Sequence, residues 1–316
     1  MVLICGKNFH ERLMVNDPIS AAEWLAIARC PVSGQRLLVE GDALVTADGR
    51  RRYGRFEGIP DLRRSPARFK IDLPWYEPWS DLESQTFVFP EPLEAPDLPF
   101  HLDAHQAAIA GPEGRGRWIL EIGCATRHAE RYFTSRGFRY VGTDYDKRGR
   151  GPHLFADAHN LPFVDESFDL VYAMAVLEHL VSPLTAAAEA ARILRAGGTF
   201  FGSAAFVYGF HDKASFNHMS SGGLLCMLRT VGFDDVQIWP GWPYQESIPA
   251  WAFRGLSGAP WRLVTRSLLS LGEWSYTAVS NVARRLAGKP QINILERRAH
   301  CCGGLNFAAR KSSRRA

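Results

Sequence analysis

The sequence predicts an α/β chain: a doubly wound, mostly parallel sheet with a small β domain in front of it. Three observations carry this. Between residues 101 and 239, short apolar runs alternate with amphipathic stretches, the pattern of βαβ units. Three of these runs close on, or just before, an acidic residue or a small-residue turn. Residues 1–62 differ, with short β segments separated by Gly-Asp and Asp-Gly turn signals.

The length of 316 residues predicts roughly two domains. A 46% hydrophobic content supplies a buried core and argues against wholesale disorder. In residues 1–62, Leu37-Leu38-Val39-Glu40 and Leu44-Val45-Thr46 flank a Gly41-Asp42 turn, and Asp48-Gly49 marks a second. Residues 63–100 carry seven prolines, too dense for helix or central strand, and read as a connector. Its aromatics, Trp75, Tyr76, Trp79, Phe87 and Phe89, suggest that it packs on the body. The remainder, 101–316, reads as the main domain with a helical insertion at about 240–300.

In that domain the expected strands are Trp118-Ile119-Leu120-Glu121-Ile122, Arg139-Tyr140-Val141-Gly142-Thr143-Asp144, Phe168-Asp169-Leu170-Val171-Tyr172-Ala173, Gly198-Thr199-Phe200-Phe201-Gly202-Ser203 and Val236-Gln237-Ile238-Trp239. Leu305-Asn306-Phe307-Ala308-Ala309 reads as a last strand. The clearest helix spans 183–194 and stops at Gly197-Gly198.

Several classes are excluded. The longest uncharged run, 196–210, is too short and Gly-rich to cross a bilayer. The first thirty residues lack a secretory pattern, and six cysteines without a C-x-x-C pair fit a reducing cytosol. The segment Gly123-Cys124-Ala125-Thr126-Arg127-His128 supplies one of the glycines a dinucleotide fingerprint needs, and there is no P-loop.

The chemistry sits at strand ends. In a doubly wound sheet, ligands bind at the carboxyl ends of the strands near the switch point. The turn Gly123-Cys124-Ala125 follows the first strand, where small residues let a ligand approach the backbone. Glu121, Asp144 and Asp157 occupy three successive strand ends. Asp144, some twenty residues after the turn, is placed to accept ribose hydroxyls, and Asp157 to accept an exocyclic adenine amine.

These residues resemble the class I S-adenosylmethionine-dependent methyltransferases, in particular the ubiquinone/menaquinone-biosynthesis type. The matching strings are Leu120-Glu121-Ile122-Gly123-Cys124, Val141-Gly142-Thr143-Asp144, Ala156-Asp157-Ala158-His159-Asn160-Leu161-Pro162-Phe163, Ser167-Phe168-Asp169-Leu170-Val171, Val176-Leu177-Glu178-His179-Leu180 and Arg192-Ile193-Leu194-Arg195-Ala196-Gly197-Gly198. The resemblance covers about half the chain and implies a Rossmann-like sheet of seven strands with an antiparallel C-terminal strand. It further implies an S-adenosylmethionine site formed by Glu121, Gly123, Cys124, Ala125, Asp144, Tyr145, Asp157, Ala158 and Met174. The family's G-x-G-x-G loop here carries Ala125 and Arg127 at its second and third glycine positions. Ala125 is a mild change if φ is negative there. Arg127 either turns outward or pairs with the cofactor carboxylate.

A methyl sulfonium needs an aligned nucleophile, and an oxygen acceptor also needs a base. His179, His211 and His218 are the candidates, and for each a packing role competes with catalysis. The expected enzyme moves a methyl group to a small-molecule, lipid-linked or glycan-linked acceptor at oxygen. RNA as substrate and a catalytically silent binding fold are the alternatives.

The chain ends add two expectations. Arg29-Cys30-Pro31-Val32-Ser33-Gly34, with Tyr53 and Gly58-Ile59-Pro60-Asp61-Leu62, resembles a zinc-ribbon-like domain that precedes some methyltransferases. Ser33 stands where a second cysteine belongs, so no metal is expected there, and His101 with His105 lacks a third ligand. Residues 250–316 hold twelve Lys and Arg against two Asp and Glu. Within 250–290, Trp261, Val264, Leu268 and Leu271 share one helical face, which suits an anionic membrane surface, a substrate lid or ordinary packing. The expected location is cytoplasmic, at the inner membrane surface if that segment engages lipid. Nucleic acid is the weaker partner, because no recognisable RNA module is present. The sequence leaves the oligomeric state open.

Overall fold

The computed structural model describes residues 22–66, 77–84, 87–90, 98–99, 102–209, 213–252 and 259–313. The N-terminal part opens with a 3-10 turn, Glu23–Ala26, and a three-stranded antiparallel sheet of β1 (Leu37–Glu40), β2 (Ala43–Thr46) and β3 (Arg52–Tyr53). A two-stranded ribbon follows, β4 (Arg55–Phe56) with β5 (Ile59–Pro60). The β1–β2 turn falls at Gly41, whose φ of 59° favours a residue without a Cβ.

Cys30, in the N-terminal motif, is held by hydrogen bonds. The buried Cys30 Sγ accepts the Ser33 N–H at 3.3 Å and lies 3.0 Å from the Tyr53 hydroxyl. Burial pushes the thiol up, but the bonds from Ser33 and Tyr53 outweigh it and hold Cys30 below its ordinary value. The domain docks on the main body through backbone: Arg29 N–H to Pro162 O at 2.8 Å and Leu62 N–H to Phe155 O at 2.9 Å. Among the described connector residues is a short helix, α1 (Trp79–Ser84), starting just after Pro78. Proline is tolerated at a helix start, since the N–H it lacks would go unused there. Phe87 packs against the core, while Trp75 and Tyr76 lie outside the described residues.

The main body begins with α2 (Ala104–Ala110), capped by Asp103, and β6 (Trp118–Ile122). It continues through α3 (Glu130–Thr134), β7 (Arg139–Asp144), β8 (Leu154–Phe155), β9 (Phe168–Met174), a 3-10 turn Leu177–His179, α4 (Pro183–Ile193), β10 (Leu194–Ala205), α5 (Ser221–Thr230) and β11 (Phe233–Pro240). Three helices then intervene, α6 (Tyr244–Ala252), α7 (Ala259–Leu286) and α8 (Ile294–Ala299), before β12 (Gly304–Lys311). The seven strands lie in the order β11-β12-β10-β9-β6-β7-β8. Strands β6 to β10 pair in parallel, and β12 runs antiparallel to both β10 and β11. This is the expected Rossmann-like sheet, and the chain reverses its direction of travel between β6 and β9.

Two-residue alternation divides the core. Leu120, Ile122, Val141, Val171 and Phe200 face one layer, and Ile119, Tyr140, Leu170, Tyr172 and Phe201 the other. Strand β10 starts at Leu194, four residues earlier than expected, because a bulge between Leu194 and Thr199 absorbs Gly197, at φ 74°.

Candidate functional site

The parallel strands end together at Ile122, Asp144, Met174 and Ala205. The turn after β6 takes positive φ at three alternate residues: Gly123 (69°), Ala125 (47°) and Arg127 (57°). This corrects the mild reading of Ala125, since a left-handed alanine is strained. Gly123 is required for a further reason. A Cβ there would lie 2.4 Å from Cγ2 of Val176, on the loop after β9. The two loops at the switch point therefore touch through the missing side chain.

Asp144 holds the turn from the next strand. Its Oδ2 accepts the Ala125 N–H at 2.8 Å, and its Oδ1 accepts the Asp146 N–H at 3.0 Å. Each oxygen keeps lone-pair capacity for another donor. Tyr145, beside it, is exposed.

Arg127 neither turns outward nor aims at the strand ends. Its side chain is buried, donating to Glu130 Oε1 at 3.1 Å and from Nε to Gly151 O at 2.8 Å. Glu130 also receives Arg150 at 2.7 Å and His153 Nε2 at 3.0 Å. His153 Nδ1 accepts the Gly142 N–H at 3.1 Å, so Nε2 carries the proton. Burial lowers the His153 pKa, against the pull of Glu130. This cluster braces the turn, and apart from Arg127 nothing in the residue pattern pointed to it.

Glu121 is buried in β6, and the Tyr140 hydroxyl donates to its Oε2. Burial pushes its carboxyl up to about 8, with Asp144 and Glu130 adding to the effect and Tyr140 opposing it. Cys124 is buried, and burial raises its thiol well above the ordinary value. Met174 is half-buried, 3.6 Å from the Gln106 amide nitrogen.

Asp157 follows β8, next to the buried Ala158. Its Oδ1 accepts from the backbone N–H of His159 at 2.9 Å and from His159 Nδ1 at 2.6 Å. Burial raises its pKa, but His159 and the Ser65 side chain pull it down and leave it below the ordinary value. His159 Nε2 in turn accepts the Ser182 N–H at 3.2 Å. Asn160 Nδ2 bonds Pro31 O and Arg64 O, both at 2.9 Å. Arg63 reaches the far side: Nη1 donates to Tyr145 O at 2.8 Å, and its guanidinium sits over Phe155 at 4.5 Å. The segment 61–65 leaving the small domain thus lies beside both Asp144 and Asp157, a feature that sequence reasoning missed because the motif ending at Asp61-Leu62 says nothing of where Arg63 to Ser65 run.

His179 is half-buried, with Nδ1 3.2 Å from Ala214 O. A carbonyl only accepts, so Nδ1 is protonated and Nε2 carries the lone pair of the neutral ring. His218 is exposed, and His211 lies outside the described residues. So does His101; His105 packs edge-on against Trp239. Among the described residues no group of three or more His, Cys, Asp or Glu could hold a metal ion. A cleft of about 460 Å³ lies where the small domain meets the body, lined by Arg29, Glu189 and Arg192. Its Arg192 is spent on Glu189, Asp165 and two carbonyls, so the cleft reads as a seam between domains.

Residues 120–202 match the family model of a methyltransferase domain. That segment runs from β6 to β10 and contains the turn and all three strand-end carboxylates. An "Uncharacterized methyltransferase" of Mycolicibacterium paratuberculosis is 32% identical over 99 residues, covering 28% of this chain and 39% of that protein. The "O-methyltransferase rstn1" of Aspergillus nomiae is 35% identical over 99 residues, covering 26% and 44%. A "Probable S-adenosylmethionine-dependent methyltransferase" of Mycolicibacterium smegmatis is 33% identical over 94 residues, covering 27% and 37%. The chain spans about two fifths of the length of these relatives.

The residues gathered in segment 120–202, which is similar to that family model, fit S-adenosylmethionine. The turn is close-packed without a Cβ at Gly123, and Asp144 has acceptor capacity in place beside it. Glu121, Gly123, Cys124, Ala125, Asp144, Tyr145 and Met174 come together at the strand ends, with Asp157 and Ala158 on the adjoining loop.

Proposed function

We propose that this protein is an S-adenosylmethionine-dependent methyltransferase acting at oxygen on a small-molecule, lipid-linked or glycan-linked acceptor. The observation that carries this reading is Asp144, which holds the left-handed turn through Ala125 while keeping capacity for ribose hydroxyls. The turn keeps its shape although two of its three positive-φ residues are not glycine, which speaks against a decayed, silent fold. The name of the Aspergillus relative supports oxygen as the methylated atom.

Bound S-adenosylmethionine supplies an electrophilic methyl group on a sulfonium. Asp144 orients the ribose, Asp157 with Ala158 the adenine, and Gly123 to Ala125 the methionine end, with Glu121, Tyr145 and Met174 completing the site. His179 takes the acceptor hydroxyl proton on Nε2, while Ala214 O fixes the tautomer through Nδ1. His211 and His218 are the alternative bases. Calorimetric titration with S-adenosylmethionine tests the reading, and wild-type protein that binds none of it refutes the enzyme. Turnover of hydroxylated acceptors that falls in His179→Gln, with cofactor affinity unchanged, supports the assignment of the base.

A further inference from the structure

Helix α7 is 28 residues long, about 42 Å, and leaves one side bare. Its back is anchored. The buried carboxylate of Glu273 accepts three bonds from Arg298 of α8 at 2.7–3.1 Å and one from Tyr244 of α6. Asn281 Oδ1 accepts the Ile292 N–H at 2.8 Å. Opposite this anchored face, Val264, Leu268, Leu271, Val279, Val282 and Leu286 form a stripe whose members are 48–85% exposed. With 3.6 residues per turn they fall within about a quarter of the circumference along the whole helix.

The margins of the stripe identify what covers it. Trp274 and Tyr276 are exposed and fall on opposite sides of it. Indole and phenol rings favour the boundary between hydrocarbon and headgroups. Arg285 lies on the Trp274 margin, and the guanidinium of Arg297 sits 4.0 Å over the Tyr276 ring on the other. Glu273 is the one acid in the helix and is committed to Arg298. A second copy of α7 laid along the stripe would bring no uncommitted carboxylate of its own for these cations, whereas anionic headgroups supply the counter-charge. Among the described residues no helix is long and apolar enough to cross a membrane, which leaves a helix lying on its surface.

We infer that α7 is a membrane-surface helix, immersing the Val264–Leu286 stripe in an anionic leaflet with Trp274 and Tyr276 at headgroup level. The inference goes beyond the methyltransferase reading and stands without it. It places the strand-end site on a body moored at a bilayer, where a lipid-linked acceptor is presented.

The test is sedimentation of the full chain with vesicles of phosphatidylglycerol and phosphatidylcholine, beside vesicles of phosphatidylcholine alone. The protein should pellet with the anionic vesicles at low salt, less at high salt, and keep a salt-resistant fraction. The triple variant Leu268→Gln/Leu271→Gln/Val279→Gln alters exposed positions. It should melt as wild type does and partition at least about tenfold more weakly, given the apolar area removed. The inference is overturned by wild-type protein that stays in solution with both vesicles, or by a triple variant that pellets equally. It is also overturned by a soluble dimer that the same substitutions dissolve, because the stripe would then be covered by a second copy. Cofactor titration of the same variant keeps the two readings apart, since it should bind S-adenosylmethionine as wild type does.

Discussion

Asp144 Oδ2 lies 2.8 Å from the backbone nitrogen of Ala125, so a carboxylate on the neighbouring strand shapes the turn after β6. This explains how a loop without its second and third glycines keeps its form. The backbone N–H needs an acceptor to stay in place, and the neighbouring strand supplies it.

Removing that carboxylate should cost twice. Asp144→Ala is expected to weaken S-adenosylmethionine binding by roughly 1.5–3 kcal/mol, the scale of a charged hydrogen-bond acceptor. The cofactor-free protein should also melt earlier, because Ala125 and Asp146 lose their partner. Calorimetry and thermal melting read the two effects separately. An affinity equal to wild type would remove Asp144 from the site.

Ala125 and Arg127 share the left-handed conformation but should respond oppositely to glycine. Ala125→Gly relieves strain and should raise stability by about 0.5–1 kcal/mol after the entropy that glycine adds to the unfolded chain. Arg127→Gly relieves the same strain but removes the bonds to Glu130, which keeps Arg150 and His153, and to the Gly151 carbonyl, each charged hydrogen bond worth about 1.5–3 kcal/mol. Its net effect should be destabilising by roughly 1–3 kcal/mol. Chemical denaturation of both variants decides, and a stabilised Arg127→Gly would contradict the bracing role.

The contrast between these positions marks what the sequence could tell. Strand ends at Glu121 and Asp144 were legible, because alternating apolar runs set the sheet and the acids punctuate it. The sign of φ at Ala125 was not, since a single alanine carries no mark of the carboxylate that strains it. Arg127 read as a departure from a pattern, whereas its inward course depends on Glu130, Gly151 and His153, distributed over two later segments. The helical stripe from Trp261 to Leu271 was visible as periodicity, but periodicity does not say which side of a helix faces the body. That is settled by Glu273 and Arg298, whose pairing spans two helices.

Arg63 gives a prediction for the small domain. It joins that domain to the strand-end site through the Tyr145 carbonyl and is held by Asp61 at 2.8 Å. Arg63→Ala should raise the Kd for S-adenosylmethionine by about three- to tenfold, the worth of one charged bond with its ring contact. Arg64→Ala, at an exposed neighbour, should leave it unchanged. Equal effects of the two would mean that only net charge matters, and the strap would have no positioning role.

The last prediction follows from the burial of Glu121. Its folded carboxyl titrates at about 8, against about 4.3 in an unfolded chain. Below about pH 4 both states hold the proton and the group costs nothing. As pH rises toward 8 the unfolded chain ionises first, so Glu121 subtracts progressively from stability, by up to a few kcal/mol. Above about pH 8 both states are ionised and the cost stays level. Glu121→Gln keeps an acceptor for the Tyr140 hydroxyl and has no proton to lose. The melting temperature of this variant, without cofactor, should therefore climb relative to wild type between pH 5 and 8 and then hold a constant lead. Parallel curves over that range would mean that Glu121 is already ionised in the fold. Tyr140 would then be donating to a carboxylate whose charge the surrounding strands tolerate.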